Sequence, residues 1–299
     1  MSPPIACDLG TDCYIQQYVD HDPSAGASDF HCSTLSYDGH KGTDFALRSM
    51  EQMRAGVEVR ASAPGKVRAT RDGMPDQILT AENSDQINGR DCGNGIFVDH
   101  DDGWSTQYCH LRQGSIAVSQ GDSVTTDTVI GLVGLSGRTQ FPHVHITVRN
   151  GDTVVDPFDP DGEISCDAPS QNTLWDTYLP YRPGGVINVG FADAVPEYAS
   201  IKDGTAAHPT LPATAPAIVV FGYAFGGRSG DAMRLTIEGP EGAFIDNTVT
   251  LDRDQAQFFR AAGKRLRAAA WPAGVYQGTA TLIRDDQIIN TESAELLIE

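Results

Sequence analysis

The sequence lacks an excess of positive charge and lacks long apolar runs. Its 299 residues include 21 Lys and Arg against 40 Asp and Glu, which gives a formal charge of −19. This deficit argues against nucleic-acid binding, because a phosphate backbone is bound through Lys and Arg. No segment approaches the roughly 20 apolar residues of a membrane-spanning helix. The acidity is interpreted as a means of solubility, of attracting basic substrates or of avoiding anionic polymers.

The N-terminus lacks the pattern of a signal peptide. The segment Met1 to Pro4 is typical of an engineered start on a mature protein, so the missing leader is not taken to indicate the cytoplasm. Apolar residues make up 40% of the chain, enough for a sizeable core. We expect an exported protein.

The sequence also lacks a CxxC pair, which argues against a thiolate zinc site. An even number of cysteines suits disulfides, and the six are Cys7, Cys13, Cys32, Cys92, Cys109 and Cys166. We predict pairing of Cys7 with Cys13 and of Cys92 with Cys109, which leaves Cys32 with Cys166 by elimination. Reduced, buried cysteines are the alternative.

Turn residues and short apolar runs predict a mainly β chain with three parts. Residues 1–37 resemble an irregular extension tied down by disulfides, and 38–184 contain short strands separated by Gly and Asp turns. A Pro-rich connection ends near residue 185, and 185–299 show strands at the spacing of an immunoglobulin-like β-sandwich. Strands are expected at 57–61, 96–99, 105–108, 129–133, 217–221, 233–237 and 278–283. A long polar loop is expected at 71–94 and one helix at 254–269.

Four of the eight histidines and one carboxylate fall into three short motifs in the first half of the chain. His40 and Asp44 form an HxxxD pair, His110 ends a predicted strand, and His143 and His145 form an HxH pair. Residues i and i+2 of a strand share a face, so His143 and His145 point the same way. Two histidines and a carboxylate, with a fourth position open to water, are typical of catalytic zinc. Either motif alone is a weak signal.

In this order, the three motifs resemble the LytM-type (M23) family of zinc metallopeptidases, which cut the peptide bridges of peptidoglycan. The segments that frame them are also similar to the family, at 57–67, 93–111 and 131–138. The resemblance covers about residues 38–160. The 71–94 loop is a departure from the family pattern.

The resemblance implies an antiparallel β-sheet peptidase domain and a Zn²⁺ ion held by His40, Asp44 and His145. It also implies two catalytic histidines that do not bind the metal, His110 and His143. In the mechanism expected from it, His143 is the general base and His110 donates to the developing oxyanion. By strand alternation Cys109 faces away from His110, which favours a disulfide over a role in the chemistry.

The function implied is zinc-dependent hydrolysis of peptidoglycan stem-peptide cross-links, with the D-alanyl–diaminopimelate bond as the expected target. The alternatives are a non-enzymatic LytM-like regulator or wall-binding protein, and a protease of glycine-rich bridges or proteins. A periplasmic location is expected, with the cell surface or secretion as alternatives. The C-terminal domain is a candidate site for a protein partner, although strand spacing alone assigns it no activity.

Overall fold

The computed structural model describes residues 1–162 and 172–299. The chain divides into two compact units, Met1–Tyr181 and Arg182–Glu299, which are described here separately. The division lies close to the boundary expected near residue 185. Among the described residues, no helix has both the length and the apolar character to cross a membrane.

Unit 1 consists mainly of short antiparallel strands. Its elements are β1 (Cys13–Gln17), β2 (Thr43–Leu47), α1 (Met50–Ala55), β3 (Glu58–Arg60), β4 (Gly65–Arg71), α2 (Ser84–Ile87), β5 (Asn94–Asp99), β6 (Trp104–Leu111), β7 (Ser123–Val124), β8 (Val129–Leu132), β9 (His143–Asn150) and β10 (Thr153–Val155). Eight of these strands form one sheet in the order β1-β2-β9-β6-β5-β4-β7, with β10 paired to β9. Strands β3 and β8 pair separately.

The register of β2 against β9 follows from burial of one face of each strand. Phe45 and Val144 are both fully buried and lie directly opposite each other. Because alternate residues point to opposite faces, the other face carries Asp44 opposite His145. His143, opposite Ala46, lies on the same face two positions away. The apolar alternation of these two strands therefore brings the polar side chains together.

Unit 2 is a β-sandwich. Its elements are β11 (Gly185–Ala192), α3 (Tyr198–Asp203), β12 (Thr210–Leu211), β13 (Ala217–Gly227), β14 (Ala232–Gly239), β15 (Gly242–Thr250), β16 (Gln255–Arg265), β17 (Gly274–Arg284) and β18 (Gln287–Ile298). One sheet has the order β11-β13-β16 and the other β12-β18-β17-β14-β15. Residues from both sheets, including Val220 and Leu282, form one buried apolar cluster. The prediction of a mainly β chain is confirmed, and unit 2 is consistent with a second, sandwich domain, whose immunoglobulin-like character stays a prediction.

The predicted strands are also confirmed in both units, whereas the helix expected at 254–269 is wrong. Residues 255–265 form strand β16, which pairs with β13 along most of its length. The Ala-rich sequence of this segment favours a helix locally. Pairing with a neighbouring strand overrides that local preference, as is usual for strands whose partner is distant in sequence.

Two of the three predicted disulfides are confirmed, Cys7–Cys13 and Cys92–Cys109. The predicted bond from Cys32 to Cys166 lies outside the described residues. The N-terminal 37 residues are less irregular than expected, because β1 joins the edge of the main sheet beside β2. The 71–94 loop is largely irregular as predicted, with only the short helix α2 inside it.

Candidate metal centre

Three side chains from two neighbouring strands converge at one point of unit 1. His40 directly precedes β2, Asp44 lies on β2, and His145 lies opposite Asp44 on β9. His40 Nε2 is 3.2 Å from Asp44 Oδ1 and 3.1 Å from His145 Nδ1, and His145 Nδ1 is 2.8 Å from the same carboxylate oxygen. These three residues are the ligand set predicted from the sequence.

The bend between the first two of these residues requires glycine. A Cβ added at Gly42 would lie 2.6 Å from His145 Nε2 and closer still to the carbonyl oxygen of Ile146. No side chain fits in that space. Gly42 therefore permits the close approach that places His40 beside β9.

Each histidine of this group is oriented by a second hydrogen bond. His40 Nδ1 lies 2.6 Å from the carbonyl oxygen of Tyr18, which can only accept. His40 therefore carries its proton on Nδ1, and the lone pair of Nε2 points into the group. His145 Nε2 lies 2.9 Å from Thr147 Oγ1, which leaves Nδ1 directed inward. Such outer partners are typical of metal-binding histidines.

The donor atoms of this group fit a zinc ion. Tetrahedral zinc with bonds of about 2.0–2.1 Å separates its ligand atoms by about 3.3 Å. The three separations here are 2.8, 3.1 and 3.2 Å. Two imidazole nitrogens and one carboxylate oxygen are also the atoms that catalytic zinc sites use, with a fourth position left for water. Among the described residues, His40, Asp44 and His145 alone form a cluster of this kind.

The electrostatics of the group keep the Asp44 carboxylate ionised. Burial acts to raise the pKa of the Asp44 carboxyl, but His40 and His143 together with bonds from His145 hold that pKa well below its usual range. Burial acts to lower the pKa of His40, and the adjacent Asp44 carboxylate outweighs this effect and raises it. A buried carboxylate that stays ionised needs positive charge close by.

Two further histidines predicted as catalytic lie next to this group. His143 Nε2 is 3.5 Å from Asp44 Oδ1, and its Nδ1 is 2.9 Å from the carbonyl oxygen of Phe141. His110 is the residue before the last of β6, and its Nδ1 is 2.8 Å from the carbonyl oxygen of Ser136. The rings of His110 and His143 are 4.6 Å apart between centroids. All five predicted site residues therefore lie in one place.

Nδ1 of each of these histidines carries a proton, since a carbonyl oxygen accepts from that atom in both cases. Burial lowers the pKa of His143, and burial together with His143 and His145 holds the pKa of His110 well below the usual range. Nε2 of each ring is thus a hydrogen-bond acceptor. For His110 this geometry favours an accepting role over the donor role expected from the sequence.

The position of His110 depends on the loop before β5. His110 has a positive φ of 63°, so strand alternation alone does not set its direction. Its backbone N–H donates to the carbonyl oxygen of Cys92 at 2.8 Å, and Cys92 is bonded to Cys109. The same loop is tied to the segment before β9, since Leu79 N–H donates to the carbonyl oxygen of Thr139.

Sequence reasoning missed the groups that orient the histidines. Thr147 lies two residues beyond His145, and strand alternation could have placed it on the same face. The carbonyl oxygens of Tyr18 and Ser136 carry no side-chain signal, so the sequence offered no means of finding them.

Comparison with known proteins supports the motif analysis. Residues 38–157 match the sequence model of peptidase family M23. The chain is 31% identical over 121 residues to the cell division protein DipM of Caulobacter vibrioides, covering 40% of this chain and 18% of DipM. It is 33% identical over 106 residues to the peptidoglycan DD-endopeptidase ShyA of Vibrio cholerae, covering 36% of this chain and 19% of ShyA. It is 32% identical over 108 residues to the DD-carboxypeptidase/endopeptidase Mpg of Neisseria meningitidis, covering 36% of this chain and 22% of Mpg.

The family match lies within the first unit. The chain spans only about a fifth of the length of these relatives. Among solved structures, the catalytic domain of the prophage-encoded M23 protein EnpA from Enterococcus faecalis is 22% identical, with a TM-score of 0.34 over 52% of this chain and 95% of that one. A zinc-containing peptidase from Vibrio cholerae is 25% identical, with a TM-score of 0.31 over 47% of this chain and 38% of that one.

Proposed function

We propose that this chain, whose residues 38–157 match the model of peptidase family M23, is a zinc-dependent endopeptidase that hydrolyses peptide cross-links of bacterial peptidoglycan. The observation that carries the proposal is the convergence of His40, Asp44 and His145 within 4.8 Å, with His110 and His143 beside them. The proposed ligands of Zn²⁺ are His40 Nε2, Asp44 Oδ1 and His145 Nδ1.

When bound there, zinc would lower the pKa of an attacking water from about 15.7 to about 7 and polarise the scissile carbonyl. In the proposed mechanism, neutral His143 accepts the proton of this water at Nε2. Its Nδ1–H remains bonded to the Phe141 carbonyl, which holds the ring in place. The water oxygen bonds to the carbonyl carbon, the C–N bond breaks, and the imidazolium of His143 returns the proton to the leaving nitrogen.

We assign His110 to the orientation of the attacking water. Its Nε2 presents a lone pair as long as its Nδ1–H donates to the Ser136 carbonyl. To donate to the oxyanion through Nε2, the His110 ring would have to be protonated there as well, and burial opposes this protonation. Two accepting nitrogens on neighbouring rings can hold one water molecule in a fixed direction, which contributes to catalysis through positioning.

The substrate proposal rests on the relatives and on the chemistry of the chain. ShyA and Mpg are described as a peptidoglycan DD-endopeptidase and a DD-carboxypeptidase/endopeptidase. On this basis we propose the D-alanyl–diaminopimelate bond as the target. The two disulfides suit an oxidising compartment, which supports an exported, periplasmic location.

A non-enzymatic regulatory role is the second candidate, and the description of DipM as a cell division protein is compatible with it. A regulator has no need of a complete ligand set or of two oriented histidines beside it. Both features are present here, and they favour the enzyme.

The decisive experiment is digestion of purified muropeptide dimers with mass analysis of the products, with and without a chelator. We expect dimers to be converted to monomers, with loss of this activity in chelator and its return on addition of Zn²⁺. The mass of the products identifies the bond. Unchanged dimers with the zinc-loaded protein would contradict the enzyme and favour the regulator.

A further inference from the structure

Unit 2 contains a groove of about 860 Å³ between the β14–β15 turn and the segment that follows β16. Its lining includes the partly exposed ring of Phe244, behind which Trp271 and Tyr276 are buried in the core. The volume lies within the range of about 300–1,000 Å³ that is usual for ligand sites. The family match does not extend to this unit, so the match assigns the groove no role.

The wall of the groove is held rigidly. Trp271 Nε1–H donates to the carbonyl oxygen of Ala215 at 2.8 Å, and Tyr276 O–H donates to that of Pro272 at 3.0 Å. Phe244 packs edge-on against both rings, with centroid separations of 5.5 and 5.7 Å. The polar ends of the two large rings are thus satisfied by the backbone, and the groove is formed before any ligand arrives.

The rim of the groove is positively charged. Lys264, Arg265 and Arg267 line it and are exposed. Lys264 Nζ lies 4.7 Å from the centroid of the Phe244 ring, whereas Arg265 and Arg267 form no ion pair within the described part of the chain. Glu241 is the acidic residue on the lining. Three cations against one anion make this rim unlike the chain as a whole, which carries a charge of −19.

From this geometry we propose that the groove binds the carboxylate-bearing stem peptides of peptidoglycan and so anchors the chain on its polymer. Arg265 and Arg267 pair with carboxylates, as the planar guanidinium fork is suited to do, and the partly exposed Phe244 ring contacts the apolar parts of the glycopeptide. A polymer rich in carboxylates is repelled by the acidic surface elsewhere, so attraction is confined to this rim. The inference rests on the proposed function for its choice of ligand.

The test is cosedimentation of the full-length chain with insoluble peptidoglycan, in a His143→Ala background so that the polymer is not consumed. We expect the double substitution Arg265→Ser and Arg267→Ser to weaken binding about five- to tenfold. Arg253→Ser, which removes an exposed charge elsewhere in unit 2, is the matched control and should bind as the parent does. Binding should also fall at high salt and with peptidoglycan whose carboxylates have been converted to neutral methylamides.

Results of two kinds would overturn the proposal. One is unchanged sedimentation of the double variant, or equal loss in the Arg253→Ser control. The other is stronger binding to vesicles of phosphatidylglycerol than to peptidoglycan, which would identify a membrane-binding surface instead. Cleavage of soluble muropeptide dimers, measured in parallel with the active chain, tests the proposed function separately, so that either idea can fail while the other stands.

Discussion

The backbone carbonyl oxygen of Tyr18 accepts a hydrogen bond from His40 Nδ1 at 2.6 Å. Tyr18 lies in the segment before the family match, which begins at residue 38. A group contributed by the N-terminal extension therefore fixes the protonation site of a proposed zinc ligand. Strand β1 ends one residue earlier and pairs with β2, the strand that carries Asp44.

Asp20 holds this arrangement together, and its substitution should weaken zinc binding. Its N–H donates to the carbonyl oxygen of His40 at 2.9 Å, and its Oδ2 accepts from Gly39 N–H at 2.9 Å. Its Oδ1 accepts from Asp22 and Ser28 N–H. In Asp20→Asn the side chain can accept on one side only, so either the Gly39 contact or the two Oδ1 contacts are lost. We expect about tenfold weaker zinc affinity, measured by competition with a chromophoric chelator.

The matched control for this prediction is Asp29→Asn. Asp29 also accepts three backbone N–H groups in the extension, from His31, Ser33 and Leu35, and none of them comes from residues 38–42 around His40. Its substitution should lower the free energy of unfolding by about 1–3 kcal/mol and leave the zinc affinity of the folded protein unchanged. Equal zinc affinities for both variants would show that Asp20 has no positioning role.

His145→Ala and His143→Ala should separate metal binding from catalysis. The first substitution removes a ligand atom, so the purified protein should contain little zinc. The second leaves the three ligands in place and removes the general base, which should reduce kcat by about 10²- to 10⁴-fold with zinc retained. Metal analysis and muropeptide hydrolysis on the same samples check both effects. Full activity in His143→Ala would refute the assignment of the base.

Loss of the Thr147 hydroxyl should weaken zinc binding, because this hydroxyl orients His145. Thr147→Val keeps the shape of a buried side chain but removes the oxygen that lies 2.9 Å from His145 Nε2. Zinc affinity should fall about tenfold. Thr147→Ser keeps the oxygen and should retain the parent affinity. A similar loss in both variants would indicate a packing effect.

Removal of the Cys92–Cys109 bond should affect both stability and turnover. The bond closes a loop of 17 residues next to His110, and loss of such a loop closure costs about 3 kcal/mol. In Cys92→Ser with Cys109→Ser we expect lower thermal stability and reduced kcat, because the carbonyl that accepts from His110 N–H lies in the released segment. Calorimetry and hydrolysis assays measure the two effects. Loss of Cys7–Cys13, which lies away from His110 in the sequence, should leave kcat less affected.

Activity should decline on acidification below the ordinary pKa of histidine. Burial lowers the pKa of His143, and burial with neighbouring charge holds that of His110 well below its usual range. A lowered pKa means that each ring stays neutral at neutral pH and is protonated only as the pH falls below about 6.5. The base is then lost, and kcat/KM should fall on the acid side. Zinc content measured at each pH separates this effect from loss of metal.

Much of the fold follows from local patterns in the sequence. The hairpin around 101–103 and the strands of both units are signalled by turn residues and by alternation of apolar side chains. Strand β16 was missed because its sequence prefers a helix, while its strand conformation depends on pairing with β13, some 40 positions earlier. The loop at 71–94 was correctly predicted as irregular, but its contact with the segment before β9 was not predictable.

The sequence by itself determined the chemical identity of the proposed site. The spacing of His40 and Asp44 and the alternation of His143 and His145 are local properties, set by strand geometry over a few residues. Only the tertiary structure decided which nitrogen of each ring is free. That choice depends on carbonyl oxygens such as that of Tyr18, 22 positions from His40, and on contacts between residues 105 positions apart, such as His40 and His145. Backbone acceptors have no side-chain signature, so they become part of a site only when the chain has folded.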